Sequence, residues 1–451
     1  MRSRGLGGSE RCLIIPSENR AREFDAKLLL GCVAAEAGFK VIVGSRQAIH
    51  FWIDRLPRSI YLAKDLRVSS ARMFNILDRL GHVIVAWDEE ALVYHSRANY
   101  LAARLHTPTL QMTRALFAWG EDNAELWRSS PGYHGAPIHV AGNPRLDLLR
   151  KDVRPYFTNE VARLKLAYGD FILVNSNFAS VNHFSPNGAE VIRARIACGR
   201  AREFHDQAFA YRSALLRRFL DMVPQLARTF PQATIVVRPH PSESEDVWRR
   251  CAAGLGNVVI QHEGSIVPWL MAAKAVVHNG CTTAIEASIL GKGPIAYRPT
   301  VSAEFDIHRP NEISATARTV EELCDAVTES WETAGGSPHP RMADYVAPPG
   351  NNLYSERIVD AIDQMMDQGR LDTEVGRCGR ALGHIKAMVR RHDKARQRDT
   401  SQQTARYDAH RFQSMTVDET EAAIRRLSRT LHRFGGIKVA QIKPDVFRLT
   451  A

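Results

Sequence analysis

Three short stretches carry residue types that can do chemistry. The first is Val236-Val237-Arg238-Pro239-His240-Pro241-Ser242-Glu243, directly after a run of β-branched residues. Proline fixes its own φ and restricts the residue before it, so a histidine between two prolines sits in an extended, rigid turn. Arg238 suits bidentate phosphate contact, and His240 can donate to a phosphate or a ribose. The alternative is a surface loop whose prolines merely end a strand. The second stretch is His278-Asn279-Gly280-Cys281-Thr282-Thr283, where an apolar run meets a glycine and then two hydroxyl residues. A helix opening there presents N–H groups and partial positive charge to an anion, so Thr282 and Thr283 can cap the helix, bind phosphate, or do both. Glu286, one turn later, either turns back toward a ribose or packs, and Asn279 either binds or shapes the turn. The third is Asp88-Glu89-Glu90. Mutual repulsion among three carboxylates can raise one pKa and supply a general base or nucleophile, whereas acidity at a helix start explains the same residues structurally.

Further candidates line up around these. Glu18, Arg20 and Arg22 follow the first apolar run, Asn143 and Arg145 stand in the turn Gly142-Asn143-Pro144-Arg145-Leu146-Asp147, and Lys292 offers a cation for a leaving phosphate. No G-x-x-x-x-G-K-[ST], G-x-S-x-G or H-E-x-x-H occurs, nor a G-x-G-x-x-G after the first strand. No D-x-D and no histidine cluster marks a metal, so no metal and no cofactor is expected beyond a nucleotide-sugar substrate.

Positioning these residues requires strands that end where they begin. Short apolar runs recur at Cys12–Ile15, Val41–Val43, Ser59–Leu62, His82–Ala86, Leu116–Trp119 and Ile138–Ala141, separated by helical patterns. A polar, helix-rich stretch at about 151–169 intervenes. The pattern restarts at Phe171–Val174, Ala233–Val237, Val258–Ile260, Ala275–Val277 and Pro294–Tyr297, with a long helical insertion from about Asn187 to Phe230. Apolar strands alternating with helices indicate parallel sheets covered on both faces. The expected architecture is α/β, GT-B-like: two doubly wound Rossmann-like domains, residues 10–150 and 168–350, facing across a cleft. Ligands in such sheets bind beyond the carboxyl ends of the strands. A helix over 351–370 should pack back on the core, and residues 371–451 form a basic, mainly helical extension. Within it, Thr416-Val417-Asp418-Glu419 reads as a capping box, Gly435-Gly436 as the stop, and Ile437–Ile442 as a short strand. Asp399–Gln413 is polar enough for a linker.

Composition narrows the class. Of 451 residues, 45% are hydrophobic and 24% charged, which matches globular domains and excludes fibrous or wholly disordered chains. Sixty basic against 49 acidic residues leave a charge of +11, which favours anionic partners. Seven scattered cysteines (12, 32, 198, 251, 281, 324 and 378) form no C-x-x-C pair and read as reduced thiols in a cytoplasmic protein. The Met1–Gly8 start lacks the apolar core of a signal peptide, and no run is long enough to span a membrane. The basic tail is either a solvated face or a contact with an anionic membrane surface.

These pieces, in this order, resemble GT-B glycosyltransferases. More closely, Ile15-Pro16 with Arg22-Glu23-Phe24-Asp25-Ala26-Lys27, then Asp88-Glu89-Glu90, Gly142-Asn143-Pro144-Arg145, Arg238-Pro239-His240-Pro241 and His278-Asn279-Gly280-Cys281-Thr282-Thr283 resemble the bacterial family of surface carbohydrate biosynthesis proteins, over residues 10–365. The His-Pro and paired-hydroxyl motifs are also similar to those of CMP-sugar-dependent sialyl and Kdo transferases. That resemblance implies that His240 and Pro241 hold cytidylate and that Thr282 and Thr283 hold its phosphate. It implies a metal-independent glycosyltransferase that moves a sugar, a CMP-linked acidic sugar such as Kdo by preference, to a surface-polysaccharide or lipopolysaccharide acceptor. The donor would lie on the second domain and the glycan or glycolipid acceptor on the first. Asp88, Glu89 or Glu90 would act as base or nucleophile, with Glu18, Arg22, Asn143 and Arg145 lining the cleft. A non-hydrolysing sugar-nucleotide epimerase has the same architecture. A nucleic-acid-binding protein is the rival from another class, disfavoured because the tail interleaves few aromatics (Tyr407, Phe412) with its basic residues.

Overall fold

The computed structural model describes residues 11–185, 188–190, 192–193, 202–333, 335–371, 373–400 and 412–451. The amino-terminal segment, Asn187, Cys198, Tyr407 and most of the Asp399–Gln413 linker lie outside the described residues. The chain divides into two units, one holding the chain through Ala91, Arg104–Tyr156 and Ala343–Ala451, the other Leu92–Ala103 and Phe157–Met342. The segment Leu92–Ala103 thus belongs to the second unit, although the sequence pattern runs it on from the first.

In the first unit six parallel strands, β1 (Cys12–Ser17), β2 (Lys40–Ser45), β3 (Ile60–Ala63), β4 (Val83–Ala86), β5 (Thr113–Ala118) and β6 (Ile138–Val140), stand in the order β2-β1-β3-β4-β5-β6. Ile14 pairs with Ile42 on one side and Tyr61 on the other. The chain therefore reverses its winding beside β1, which creates a switch point between β1 and β3. Helix α1 (Asp25–Glu36) is mostly apolar and buried from Ala26 to Ala35, Lys27 included. A helix with no solvent face must be covered on both sides. The sheet covers one side and helix α5 (Tyr354–Asp367) packs on the other. Helix α2 (Ala71–Leu80) is amphipathic and buries Met73, Phe74, Ile76, Leu77 and Leu80.

The second sheet is wholly parallel, in the order β12-β11-β10-β7-β8-β9. Its strands are β7 (Phe171–Asn175), β8 (Thr234–Arg238), β9 (Val258–Ile260), β10 (Ala275–His278), β11 (Pro294–Tyr297) and β12 (Ala315–Ala317). Alternate residues feed opposite cores: Ile172, Val174, Val237 and Val277 pack with Phe219 and Trp248 of one layer. Phe171, Leu173, Val236 and Val276 pack with Leu164 and Trp269 of the other. The switch point here lies beside β7, between the loops that follow β7 and β10. The long insertion contains helix α3 (Arg202–Thr229), and helix α4 (Thr282–Ile289) follows β10.

The carboxyl-terminal extension is helical through α6 (Arg377–Thr400) and α7 (Val417–Leu431), the latter opened by the expected Thr416–Glu419 capping box. The expected stop at Gly435-Gly436 is corrected: α7 ends at Leu431, and His432, in the left-handed region at φ 53°, caps it. Two strands follow, β13 (Lys438–Lys443) and β14 (Val446–Thr450). β14 pairs antiparallel with β2, so the tail extends the first sheet to eight strands.

Candidate functional site

Two polar clusters sit at the carboxyl edges of the two sheets. In the first unit Glu18 follows β1 and Lys64 follows β3, and they form an ion pair across the switch point. Lys64 also reaches Glu23 at 2.9 Å, Glu23 holds Lys27 at 2.7 Å, and Lys27 lies 3.6 Å from Glu89. Arg46 after β2 stands 3.8 Å from Glu18 and 3.9 Å from Asp65. Burial pushes the Glu23 carboxyl up, but Lys27 and Lys64 outweigh it and hold its pKa well below the ordinary value. Burial pulls Lys64 down, and Glu18 and Glu23 raise it above its usual value. Buried charge of this density needs internal pairing, and it concentrates at functional edges. The sequence singled out Glu18 as a site residue and Glu23 and Lys27 only as members of the Arg22–Lys27 motif, while Arg46, Lys64 and Asp65 were not reached. The available signal was the i, i+4 spacing of Glu23 and Lys27.

Repulsion among Asp88, Glu89 and Glu90 is not what the structure shows. Asp88 is clamped by Arg104, whose Nε donates at 2.8 Å. Glu89 is 1% exposed and accepts from Trp87 Nε1 at 2.8 Å. Glu90 meets Arg22 at 3.2 Å. Burial pushes Glu90 up, but Arg22 and Arg145 hold its pKa below the ordinary value, so the expected rise is corrected for this residue. Of the three, Glu90 alone keeps a partly exposed side chain (34%), against 2% and 1% for Asp88 and Glu89. Asn143 caps the turn by accepting from Arg145 N, and its Nδ2 has no partner. Arg145 lies over Trp119 and is 5% exposed. Asp147 accepts from Tyr354 N, Ser355 N and Ser355 Oγ, which locks α5 to this turn. Gly142, at φ 80°, leaves no room for a Cβ against the Tyr354 ring.

In the second unit the turn after β8 and the loop after β7 share one carboxylate. Glu243 accepts from Phe178 N at 2.8 Å, Ser176 Oγ at 2.9 Å, His240 N at 3.1 Å and Trp248 Nε1 at 3.2 Å. Burial raises its pKa. His240 Nδ1 accepts from Ser242 N at 3.1 Å, so the neutral ring carries its proton on Nε2. Pro239 and Pro241 hold the turn as the sequence requires.

Arg238, expected as a phosphate ligand, is instead a brace. Its guanidinium donates to Glu263 O at 2.8 Å, Gly264 O at 3.1 Å and His262 O at 3.2 Å and stacks over Trp269. Burial lowers its pKa to about 9. Lys292 is also corrected. It precedes β11, at the amino edge of the sheet, and donates to Ala273 O at 2.7 Å. That edge opens a groove of about 900 Å³ lined by Lys165, Asp170, Lys274, Trp331 and His339 among others. Parallel sheets place their ligand loops at the other edge.

At the carboxyl edge β10 ends in His278, which accepts from Gly280 N at 2.9 Å through Nδ1 and bonds Ser314 Oγ at 2.8 Å through Nε2. Burial lowers its pKa to about 3, so it stays neutral and structural. It stabilises Gly280 at φ 86°. Cys281, not a threonine, is the residue preceding α4, and it makes no side-chain capping bond; Thr282 and Thr283 begin the helix. Asn279 donates through Nδ2 to Asn177 O at 3.4 Å, joining the loops on either side of the switch point. Its Oδ1 has no partner, and neither has Asn175 Nδ2 at the end of β7, although the two residues are 6% and 4% exposed. Buried polar atoms left unmade are costly and therefore uncommon. Glu286 lies on the buried face of α4, 6% exposed.

The fold is GT-B-like: two Rossmann-like units, each built on a mainly parallel sheet, with a largely helical carboxyl-terminal region. Neither a family model nor a curated protein matches the chain. Among solved structures, the wall teichoic acid polymerase TagF superposes with a TM-score of 0.51 at 9% identity, covering 79% of this chain and 89% of that one. At this identity the likeness establishes the fold alone. The UDP-GlcNAc 2-epimerases of Methanocaldococcus jannaschii (TM-score 0.49, 14% identity, 79% and 99% coverage) and Neisseria meningitidis (0.48, 12%, 79% and 100%) are similar to a lesser degree.

Proposed function

We propose that the chain is a metal-independent glycosyltransferase that binds a nucleotide-sugar donor at the carboxyl edge of its second sheet. The observation that carries this reading is the pair of unsatisfied buried amides, Asn175 and Asn279, beside the start of α4 at the switch point. Helix N–H groups, two amides and the Thr282 and Thr283 hydroxyls suit a phosphate with its attached sugar. His240, with Pro241 behind it, supplies Nε2–H to the nucleotide. The motif resemblance favours cytidylate and an acidic sugar such as Kdo, with a surface-polysaccharide or lipopolysaccharide glycan as acceptor. On the first unit Glu90 is the carboxylate for the acceptor. Arg22 and Arg145 hold its pKa below the ordinary value, so it is ionised at neutral pH and available to accept a hydrogen bond from an attacking hydroxyl. Asp88 and Glu89 hold the loop that presents it, and Glu18, Arg22, Asn143 and Arg145 complete its surroundings.

The reaction test incubates the protein with CMP-Kdo, CMP-N-acetylneuraminate or UDP-GlcNAc, with and without glycolipid. Acceptor-dependent CMP release, reduced roughly a hundredfold or more in Glu90→Gln, supports transfer. Acceptor-free epimerisation of UDP-GlcNAc replaces it with the epimerase reading. Tight, steeply salt-dependent binding of polynucleotide replaces both.

We also infer peripheral contact with the cytoplasmic face of an anionic membrane through α6. Among the described residues no helix is long and apolar enough to cross a membrane. Helix α6 nonetheless turns its apolar residues outward: Leu382 is 39% exposed, and Ile385, Met388 and Val389 about 50%. Its inward side is cationic, with Arg391 on Asp54, Lys386 on Asn75 and Arg390 on His50 O. The exposed Arg377, Arg380 and Arg396 stand before and after this apolar stripe along the helix, and basic residues flanking an apolar stripe complement an anionic lipid surface. Co-sedimentation with phosphatidylglycerol vesicles, lost in Ile385→Glu, supports this contact; equal pelleting of that variant contradicts it.

A further inference from the structure

A small cavity of the second unit lies against α3, the loop after β7 and the Leu92–Ala103 segment. Its volume is about 20 Å³. That is room for one water or one compact polar group. Arg212, Arg193, His205, His95 and Ser180 line it, with Phe209 among its apolar sides.

The lining is cationic and unsatisfied. Arg212 is 7% exposed and, among the described residues, has no carboxylate within ion-pair distance. One Nη donates to Asn177 O at 3.2 Å, while its Nε has no partner. Ser180 Oγ, on a residue 5% exposed, and His95 Nδ1 are also without partners. Arg193 is placed by Nε donation to Ser180 O at 2.9 Å and by stacking on Phe209. The acids nearest Arg212 are engaged elsewhere: Glu243 with its four donors, and Asp306 with Tyr211 and Arg298. Burying a guanidinium without a counter-charge is expensive, and the arrangement is complete only when an anion enters.

The position of the cavity links it to the nucleotide site. Asn177 O accepts from both Arg212 and Asn279, so the cavity adjoins the start of α4 through a single shared carbonyl. We propose that this cavity is an oxyanion subsite that takes the sugar carboxylate of an acidic-sugar donor. The proposal rests on the reading of the second unit as the donor site and gives the acidic-sugar preference named residues. A guanidinium pair and the Ser180 hydroxyl match the two oxygens of a carboxylate, and the volume admits little more. The second phosphate of a nucleoside diphosphate sugar has related chemistry, and the test separates the two.

The experiment is titration calorimetry on the full chain with CMP, CMP-N-acetylneuraminate, UMP, UDP, UDP-glucose and UDP-glucuronate, using wild type, Arg212→Gln and Arg193→Gln. Arg193 is only half-buried, so its variant keeps the test alive should Arg212→Gln fail to fold. The expected result is about tenfold or greater preference for the carboxylate-bearing member of the recognised pair. Both variants lose that preference and bind the bare nucleotide as wild type does. Equal binding of acidic and neutral donors by wild type overturns the proposal, as does a preference that survives in both variants. A gain from UMP to UDP, lost in the variants and indifferent to the sugar, assigns the cavity to the second phosphate and overturns the carboxylate. Should no nucleotide bind, the donor-site reading fails by itself. Thermal stabilisation by tens of millimolar acetate at constant ionic strength, absent in Arg212→Gln, would then still support a carboxylate pocket, and its absence in wild type would remove that too.

Discussion

Replacing Glu243 with alanine removes the acceptor that joins the turn after β8 to the loop after β7. Phe178 N, His240 N, Trp248 Nε1 and Ser176 Oγ all lose their partner. The serine hydroxyl can turn elsewhere, but the three N–H groups are directional. At about 1–3 kcal/mol for each buried donor left unmade, the gross cost is roughly 3–9 kcal/mol. Two effects offset part of it. Water can enter the space vacated by the side chain, and an expensive buried carboxylate, whose pKa burial already raises, disappears. The expected net loss is about 3–5 kcal/mol, with Glu243→Gln intermediate because its amide presents one acceptor and one opposed donor. Urea unfolding followed by circular dichroism and by tryptophan fluorescence measures the loss, and calorimetry measures nucleotide affinity alongside it. The His240 turn should loosen, so nucleotide binding falls even at temperatures where the variant stays folded. A Glu243→Ala protein within about 1 kcal/mol of wild type and with unchanged affinity would refute the role assigned to this carboxylate.

Three other perturbations have defined signs. His278 has a folded pKa lowered from 6.5 to about 3, so its contribution to stability is complete above 6.5 and is lost as pH falls toward 3. Acid titration of unfolding should therefore show a slope of up to about 1.4 kcal/mol per pH unit that flattens in His278→Asn. Lys64→Met leaves Glu18 and Glu23 with fewer counter-charges; with Lys27 still on Glu23, the expected cost is about 2–4 kcal/mol. Glu23 has a depressed pKa, so its stabilisation disappears as pH falls, and the variant should acid-unfold at higher pH than wild type. Gly280→Ala puts a Cβ at φ 86° and 3.3 Å from Ile307 Cβ. It should cost about 1–2 kcal/mol in thermal unfolding and weaken nucleotide binding by displacing the start of α4.

The alternation of strands and helices was legible because parallel strands buried on both faces are written as uninterrupted apolar runs. The Arg-Pro-His-Pro and His-Asn-Gly-Cys-Thr-Thr stretches were legible as turns because proline and glycine act locally. What those turns touch was not legible. Arg238 resembles a phosphate ligand until the carbonyls of residues 262–264 take its donors, and that contact depends on how the loop after β9 returns. Asp88, Glu89 and Glu90 look like one repelling cluster, yet partners from distant segments, Arg104, Lys27 and Arg22, separate them. Arg212 stands within a helical insertion where any surface arginine looks the same; only its burial beside Ser180 and His95 distinguishes it. β14 joins β2 across almost the whole length of the chain, and no local pattern announces so distant a pairing.

The most direct test of the central claim is calorimetric titration of the full chain with CMP, CDP, UDP, GDP and ADP, repeated on His240→Ala. One nucleotide, CMP, should be preferred, with affinity reduced about tenfold or more by the substitution. Failure of every nucleotide to bind wild type, or binding indifferent to His240, would contradict it.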